Sequence, residues 1–431
     1  MPLSTPLLAE SGSAICLMLV MLVPLAGIGI TLINCGLGRS RSAAHMMLAS
    51  LCVVAVAVVV FTVWGFSLQG DAAQAGGSLW LGKAVWRVAG AEPLLLRGLP
   101  LDGSTSSLNM LLRMFATALV ALIPLGAMGE RWRLGACCLS TVVLTGVVYP
   151  LFAHWVWSWG WLAQLGANYG LGHGFVDGGG SGVIQVVGGA TALSLTWILG
   201  PRHGKYMSDG MPAAIPGHNV VYVLFGCLLA WVGWIGLNAA GAILFFNIAT
   251  GRVPLVAINT TLSAAVAGLA AVAITGKRFG RPDASISGSG WMGGLVASSA
   301  GAAFVRPAAA ILIGFVAGVL VSYAVDALEF RLGVDDPGGA VSVHMVGGLW
   351  GVSAVALFGN FSESGQWLAQ IVGIATLLGF VLPLSYGLNW LLNRFYPQRV
   401  DAEGERQGMD LHELGSGAYP DFVTHSDEFM R

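Results

Sequence analysis

Charge is what this sequence has least of. Only 10% of its 431 residues are Asp, Glu, Lys or Arg, against about 25% in an average soluble domain. That excludes a soluble globule of this size. The few charges also cancel, 20 basic against 21 acidic for a net charge of −1, so no basic stripe marks a nucleic-acid partner. Cysteine is sparse too. Cys16, Cys35, Cys52, Cys137, Cys138 and Cys227 lie within or at the ends of apolar runs, with no Cys-x-x-Cys pair, which argues against disulfides and metal clusters. There is no nucleotide-binding glycine loop, metal-ligand spacing or nucleophile with a positioned base, so no enzyme, metal site or cofactor is expected. The stretch to Ser13 lacks a basic segment, so the apolar run from Ala14 reads as a retained first span rather than a cleaved signal.

What fills the chain instead is apolar. Hydrophobic residues make up 56% of 431, about 241 side chains, enough for eleven or twelve spans of roughly 20 residues each. Glycine, at 62 residues, is twice the usual share of about 7%, which suits helices packed backbone to backbone. Runs at about 13–35, 43–66, 107–128, 134–154, 180–200, 219–246, 256–275, 287–304, 308–330, 340–359 and 367–393 predict eleven transmembrane helices. The fold class is therefore an all-α polytopic membrane protein. Residues 1–396 form the membrane domain and 397–431 a tail. With the N-terminus outside, loops after odd-numbered spans plus the tail hold 14 of the 20 basic residues, among them Arg39, Arg131, Arg202, Lys277 and Arg399. The positive-inside rule thus selects a cytoplasmic C-terminus.

Two segments depart from plain apolar helix. Gly290, Gly294 and Ser298 recur every four residues, a small-residue stripe for close packing. Trp155, Trp157, Trp159 and Trp161 alternate at the outer end of the fourth span, which reads as an interfacial belt or as a pore mouth that holds a cation.

An internal repeat is more specific. The segment Asp177-Gly178-Gly179 to Val187-Gly188-Gly189 lies over Asp336-Pro337-Gly338 to Val346-Gly347-Gly348 without a gap. Each copy carries a polar side chain eight residues after its aspartate, Gln185 in one and His344 in the other. The copies fall on the fifth and tenth spans, and that odd offset turns the second upside down. This predicts a five-plus-five inverted repeat, about 13–200 and 219–359, followed by a last long helix at 367–393. Equivalent residues of such a repeat meet near the midplane, where transporters hold substrate. A glutamine or histidine in hydrocarbon needs a partner or a cavity, so Gln185 and His344 lead as pore residues; bonds to neighbouring helices are the plainer alternative. Asp177 reads first as a helix cap and second as a ligand, and Asp335 and Asp336 read the same way. His45, His203, His218, His412 and His425 fall near loops or in the tail and read as solvated.

At this point the chain resembles the ammonium transporters of the Amt/Mep/Rh group. The resemblance runs through WGFSLQG, GAMGER, YPLFAHWVW, GWIGLNAAG, DDPGGAVSVHMVGG and the tail stretch GMDLHELGSGAYPDF. It implies a multi-pass protein of the cell membrane, a homotrimer with one pore per subunit, and ammonium or ammonia as substrate. It also implies a tail that packs under neighbouring subunits and supports regulation by a PII-type protein; a flexible polar tail is the alternative. Residue by residue, Trp157 matches the tryptophan of the outer recruitment site, Asp177 its supporting aspartate, and His344 the second of two pore histidines. Gln185 replaces the first histidine, Gly241 falls at the outer-site serine and Leu237 at the inner gating phenylalanine. The outer gating phenylalanine falls on Ala116 by gapless counting from Glu130, with Phe115 one position off.

These departures matter chemically. Two imidazoles can pass a proton along a pore, whereas glutamine keeps a donor and an acceptor but does not titrate. Smaller residues at the mouth weaken cation recruitment and widen the path. The leading expectation is a transporter or channel for ammonium or ammonia. An ammonium sensor that conducts little, and a carrier of another small amine such as methylammonium, are the alternatives.

Overall fold

The computed structural model describes residue 8 and residues 10–71, 77–82, 84–361 and 363–419. Among the described residues eleven helices build the bundle: α1 (Glu10–Leu37), α2 (Ser40–Gln69), α3 (Thr105–Met128), α4 (Leu134–Trp157), α5 (Ser181–Leu199), α6 (Val220–Phe246), α7 (Thr250–Phe279), α8 (Ala284–Ser298), α9 (Pro307–Leu332), α10 (Ala340–Phe358) and α11 (Gln366–Phe395). Ten of them are long and apolar enough to span a membrane. The exception, α8, has 15 residues and reaches only about 22 Å of the roughly 30 Å hydrocarbon thickness. Turns at 299–305 carry its chain onward. The span expected at 287–304 is thus a short helix plus an irregular return.

The chain is not wholly helical. Between α2 and α3, β1 (Gly77–Leu81) and β2 (Ala84–Ala89) pair antiparallel, with Leu81 opposite Ala84. This hairpin lies over the end of the bundle that carries Trp157, here the tryptophan end. Trp155 donates to Val88 O at 2.8 Å, and Trp161 stacks on Trp86 at 4.9 Å with an interplanar angle of 2°. Trp155 and Trp157 are buried and only Trp159 and Trp161 are half-exposed, so the series is mostly an internal seam rather than a belt.

Glycine explains how the two halves meet. A Cβ at Gly29 of α1 would sit 2.5 Å from Gly226 O of α6, and a Cβ at Gly226 would sit 2.6 Å from Gly29 O. The helices therefore touch through bare backbone. The stripe on α8 does the same against α7, where a Cβ at Gly294 would meet Ser263 O at 2.4 Å.

At the opposite, tail end, four loops are tied by ion pairs. Arg202 bonds Glu130 at 2.5 Å and Asp335 at 2.9 Å, Arg131 lies 3.3 Å from Asp335, and Arg39 pairs with Glu130. Asp335 therefore binds arginine and does not cap a helix, contrary to its reading from sequence. Burial opposes its charge, but Arg131 and Arg202 outweigh that and hold the carboxyl below the usual range.

The tail packs on its own chain as far as Tyr419. Asp410 accepts from the N–H groups of Ala44 and His45 at 3.1 and 2.7 Å, and Glu413 meets His45 Nε2 at 3.0 Å and Leu134 N at 2.9 Å. His45 is thus buried and paired, not solvated; its place at a helix start under the tail hid it. His218 is also engaged, with Gly38 O and the Tyr419 hydroxyl at 3.1 and 3.0 Å. His203 and His412 are exposed as expected, and His425 lies outside the described residues.

Candidate functional site

The two repeat copies follow the same backbone path. Asp177 Oδ2 accepts from the N–H of the fifth and sixth residues beyond it, Gly182 and Val183, both at 2.8 Å. Asp336 Oδ2 does so from Val341 and Ser342 at 3.0 and 2.8 Å. Gly180 (φ 89°) and Gly339 (φ 75°) then turn the chain through the left-handed region, which L side chains resist. Each helix opens with a wide π turn, Ser181–Val186 or Ala340–Met345, before 13 residues of α-helix. Within it Gln185 N bonds Gly180 O at 3.0 Å and His344 N bonds Gly339 O at 3.3 Å, five residues back in both cases. Both aspartates are caps in this geometry.

The copies also cross reciprocally. A Cβ at Gly189 would meet Met345 Cβ at 2.7 Å and Ala340 O at 2.9 Å, and one at Gly348 would meet Ser181 O at 2.5 Å. The second glycine of each pair is therefore the notch that receives the other copy's first turn. Gly179 N bonds Ser299 O beyond α8, and Gly338 N bonds Gly126 O at the end of α3. Spans three and eight are equivalent in an inverted repeat, so each copy leans on the opposite half in the same way.

This crossing brings Gln185 and His344 together. His344 Nδ1 lies 2.6 Å from Gln185 Oε1, with both residues buried. A carboxamide oxygen only accepts, so Nδ1 carries the proton and Nε2 of the neutral ring is left as an acceptor. Gln185 Nε2 is buried without a protein partner. One free donor and one free acceptor thus flank the pair, enough to hydrogen-bond a small molecule that both gives and takes. On the tail side of His344 lies a cavity of about 10 Å³, walled by Ile30, Ile33, Asn34, Met292, Val343 and His344 itself. That is room for about one water-sized molecule.

The tryptophan end differs from what the resemblance implied. Trp157 Nε1 donates to the main-chain oxygen of Asp177 at 2.7 Å, so the two touch without using the Asp177 carboxylate. One face of the indole is covered: Phe245 stacks on it at 4.3 Å and 15°. Gly241, one turn earlier on α6, has no space for a side chain, because a Cβ there would lie 2.1 Å from Gly178 O. It is a packing contact, and no wider path opens at that point. Leu237 is buried. On α3, Ala116 is fully buried and Phe115 partly so, yet the side chain that reaches the Trp157 stack from this helix is Arg113. Its guanidinium lies over Phe245, 5.7 Å from the ring centre, and donates to Trp157 O at 3.0 Å and to Gly70 O.

Arg113, Phe245 and the pair Asn34 and Asn238 were missed from sequence. Asn34 on α1 donates to Leu122 O at 3.0 Å; Asn238 on α6 donates to Thr260 Oγ1 and Ser298 Oγ at 2.9 and 3.2 Å. Both are buried polar groups in apolar helices, a signal that was legible for Arg113, Asn34 and Asn238. Phe245 stands in a run of apolar residues and carried none.

Comparison with known proteins bears on these features. The family model described as Ammonium Transporter Family matches residues 14–419. The chain is similar to ammonium transporter Amt2 of Archaeoglobus fulgidus, 34% identical over 419 residues that cover 93% of this chain and 86% of the relative. It is 31% identical to an ammonium transporter of Bacillus subtilis, covering 91% of this chain and 94% of the relative. Among solved structures, one described as a sensor Amt protein superposes with a TM-score of 0.83 at 27% identity, over 93% of this chain and 97% of the other. Mep2 of Saccharomyces cerevisiae superposes at 0.77 and 25%, over 93% and 92%.

Proposed function

The chain belongs to the ammonium transporter family, transporters rather than enzymes, and from that premise we propose that it carries ammonium or ammonia across the cytoplasmic membrane through a pore centred on Gln185 and His344. The observation that supports this best is the 2.6 Å bond between His344 Nδ1 and Gln185 Oε1, which leaves one donor and one acceptor unpaired where the inverted halves cross. Ammonia both donates and accepts, so it fits between them; a bare alkali cation does not. The N-terminus and the tryptophan end face outside and the tail faces the cytoplasm, by the distribution of basic residues. The working unit is a homotrimer with one pore per subunit, and a PII-type protein at the tail end is its regulator; both are taken from the family resemblance.

Purified protein in liposomes, given an ammonium jump, tests this reading when lumenal pH and current are recorded together. Flux above empty liposomes in either channel is expected. Absence of both, in the unaltered protein and in Gln185→His, would sink it.

A second reading, an ammonium sensor, is favoured by one observation: one face of Trp157 is covered by Phe245, in a chain that superposes well on a sensor Amt protein. A sensor would be stabilised against thermal unfolding by ammonium while moving none.

A further inference from the structure

Arg113 lies eight residues into α3 from Thr105, about 12 Å along the helix axis, and is 1% exposed. An ionised side chain at such depth in an apolar span marks a functional position unless a full partner offsets it. Its partners here are of the kinds a cation uses, carbonyl oxygens and an aromatic face. One nitrogen donates to Trp157 O, another to Gly70 O, and the flat face rests on Phe245, which rests on Trp157. The order is guanidinium, phenyl, indole. Asp71 Oδ1 pairs with it from the loop side at 4.0 Å, the outer limit of an ion pair, which offsets the charge only in part, and Glu92 accepts from Asp71 N at 3.1 Å. The guanidinium keeps its place on the aromatic stack.

We propose that Arg113 is a resident cation that takes the place of a recruited ammonium ion, so that the pore admits neutral ammonia and turns the ammonium cation away. This rests on the transport reading above. A positive charge fixed in a poorly screened site repels a second one, and an arginine that lines a pore is a known form of cation barrier. The surrounding polar groups suit a neutral guest. Arg113 Nε, both side-chain polar atoms of Gln69 and His154 Nε2 are buried without protein partners, around the same Gly70 that binds the guanidinium. Unpaired buried donors and acceptors take up small polar molecules. Ammonium therefore gives its proton to water or buffer outside, and ammonia proceeds to Gln185 and His344.

Proteoliposomes test the idea with an ammonium chloride jump, read as current and as lumenal alkalinisation, for the unaltered protein and for Arg113→Gln, Arg113→Lys and Phe245→Ala. The unaltered protein is expected to alkalinise the lumen faster than empty liposomes while carrying no ammonium-dependent current. Arg113→Gln should gain current at least tenfold above it. Arg113→Lys keeps the charge and should gain none, and Phe245→Ala uncovers the indole but keeps the charge and should gain none. Equal current in the unaltered protein and Arg113→Gln overturns the proposal, as does current that appears in Phe245→Ala alone. If Arg113→Gln fails to fold, the Phe245→Ala result decides. If no protein moves ammonium at all, the transport reading has failed. Tryptophan fluorescence titrated with ammonium chloride against sodium chloride then decides separately: a response at tenfold lower concentration in Arg113→Gln supports the resident cation, and an equal response rejects it.

Discussion

The two copies of the inverted repeat share a backbone path and differ most in the side chains that meet where they cross. Asp177 and Asp336 cap the same turn, Gly180 and Gly339 bend it, and Gly189 and Gly348 notch it. At the eighth position one copy offers an amide and the other an imidazole, 2.6 Å apart. Duplication thus supplies a pair of inward-facing positions, while the chemistry of the pair is open to change without cost to the scaffold. The frame and the relay are therefore separable, and the frame should be the more expensive to disturb.

Removing a cap should have the largest effect. Asp177→Ala strands the N–H groups of Gly180, Gly182 and Val183; with three charge-assisted bonds worth about 1.5–3 kcal/mol each, a loss of roughly 4.5 kcal/mol or more is expected. Asp336→Ala strands two N–H groups and the Ser342 hydroxyl, and a hydroxyl can swing to another acceptor, so it should lose less. Thermal unfolding of both variants in detergent checks the order. Equal or reversed losses would show that the number and kind of stranded groups do not set the cost of removing a cap.

Filling a notch comes next. Gly189→Ala and Gly348→Ala each force a methyl into the other copy's backbone, an overpacking that costs about 1–3 kcal/mol. Because each notch holds the partner copy, either substitution should shift the Gln185–His344 contact and lower flux along with stability. A stability loss with unchanged flux would show that the pair is not the pore centre.

Exchanging the pair isolates the chemistry. Gln185→Leu and His344→Leu should each cut flux by about tenfold or more, equivalent to about 1.4 kcal/mol in the barrier. The swap Gln185→His with His344→Gln should restore most of it if the two copies are equivalent. Recovery below a tenth of the unaltered flux would mean that the surroundings, and the cavity beside His344 in particular, distinguish the two sides.

Much of this frame could be read from the sequence, because repeats leave a pattern at fixed spacing. The aspartate, the bend and the glycine pair line up without a gap, and the polar residues follow from them. The tryptophan end resisted for a physical reason. A stack of guanidinium, phenyl and indole draws on α3, α6 and α4, and nothing in linear spacing brings Arg113 to Phe245. In the linear sequence Arg113 is merely a basic residue near the start of the run at 107–128. The hairpin was legible in part, since Gly82 stands between two runs rich in Leu, Val and Trp, but eleven long apolar runs dominate the reading. Short α8 was hidden because the apolar stretch continues past its last helical turn.

The tail supplies the smallest effect and the clearest break in symmetry. Its acids Asp410 and Glu413 bond to the starts of α2 and α4, both in the first half, so the two halves stop being equivalent at the tail end. Burial opposes the charge of Glu413, but His45 and the Leu134 N–H outweigh it and lower its pKa. A carboxyl lowered in the docked state stabilises docking fully above its ordinary value near 4.5, and that contribution is lost as pH falls through the lowered value. The contact is partly exposed, so its share should be under about 1 kcal/mol. Protease cleavage of the tail should therefore rise only as pH drops below the usual carboxylate range. In Glu413→Gln, which keeps an acceptor for Leu134 but no charge, that dependence should flatten. If the variant keeps the full pH response, another acid holds the tail, and Asp410 at the start of α2 is the group to replace next.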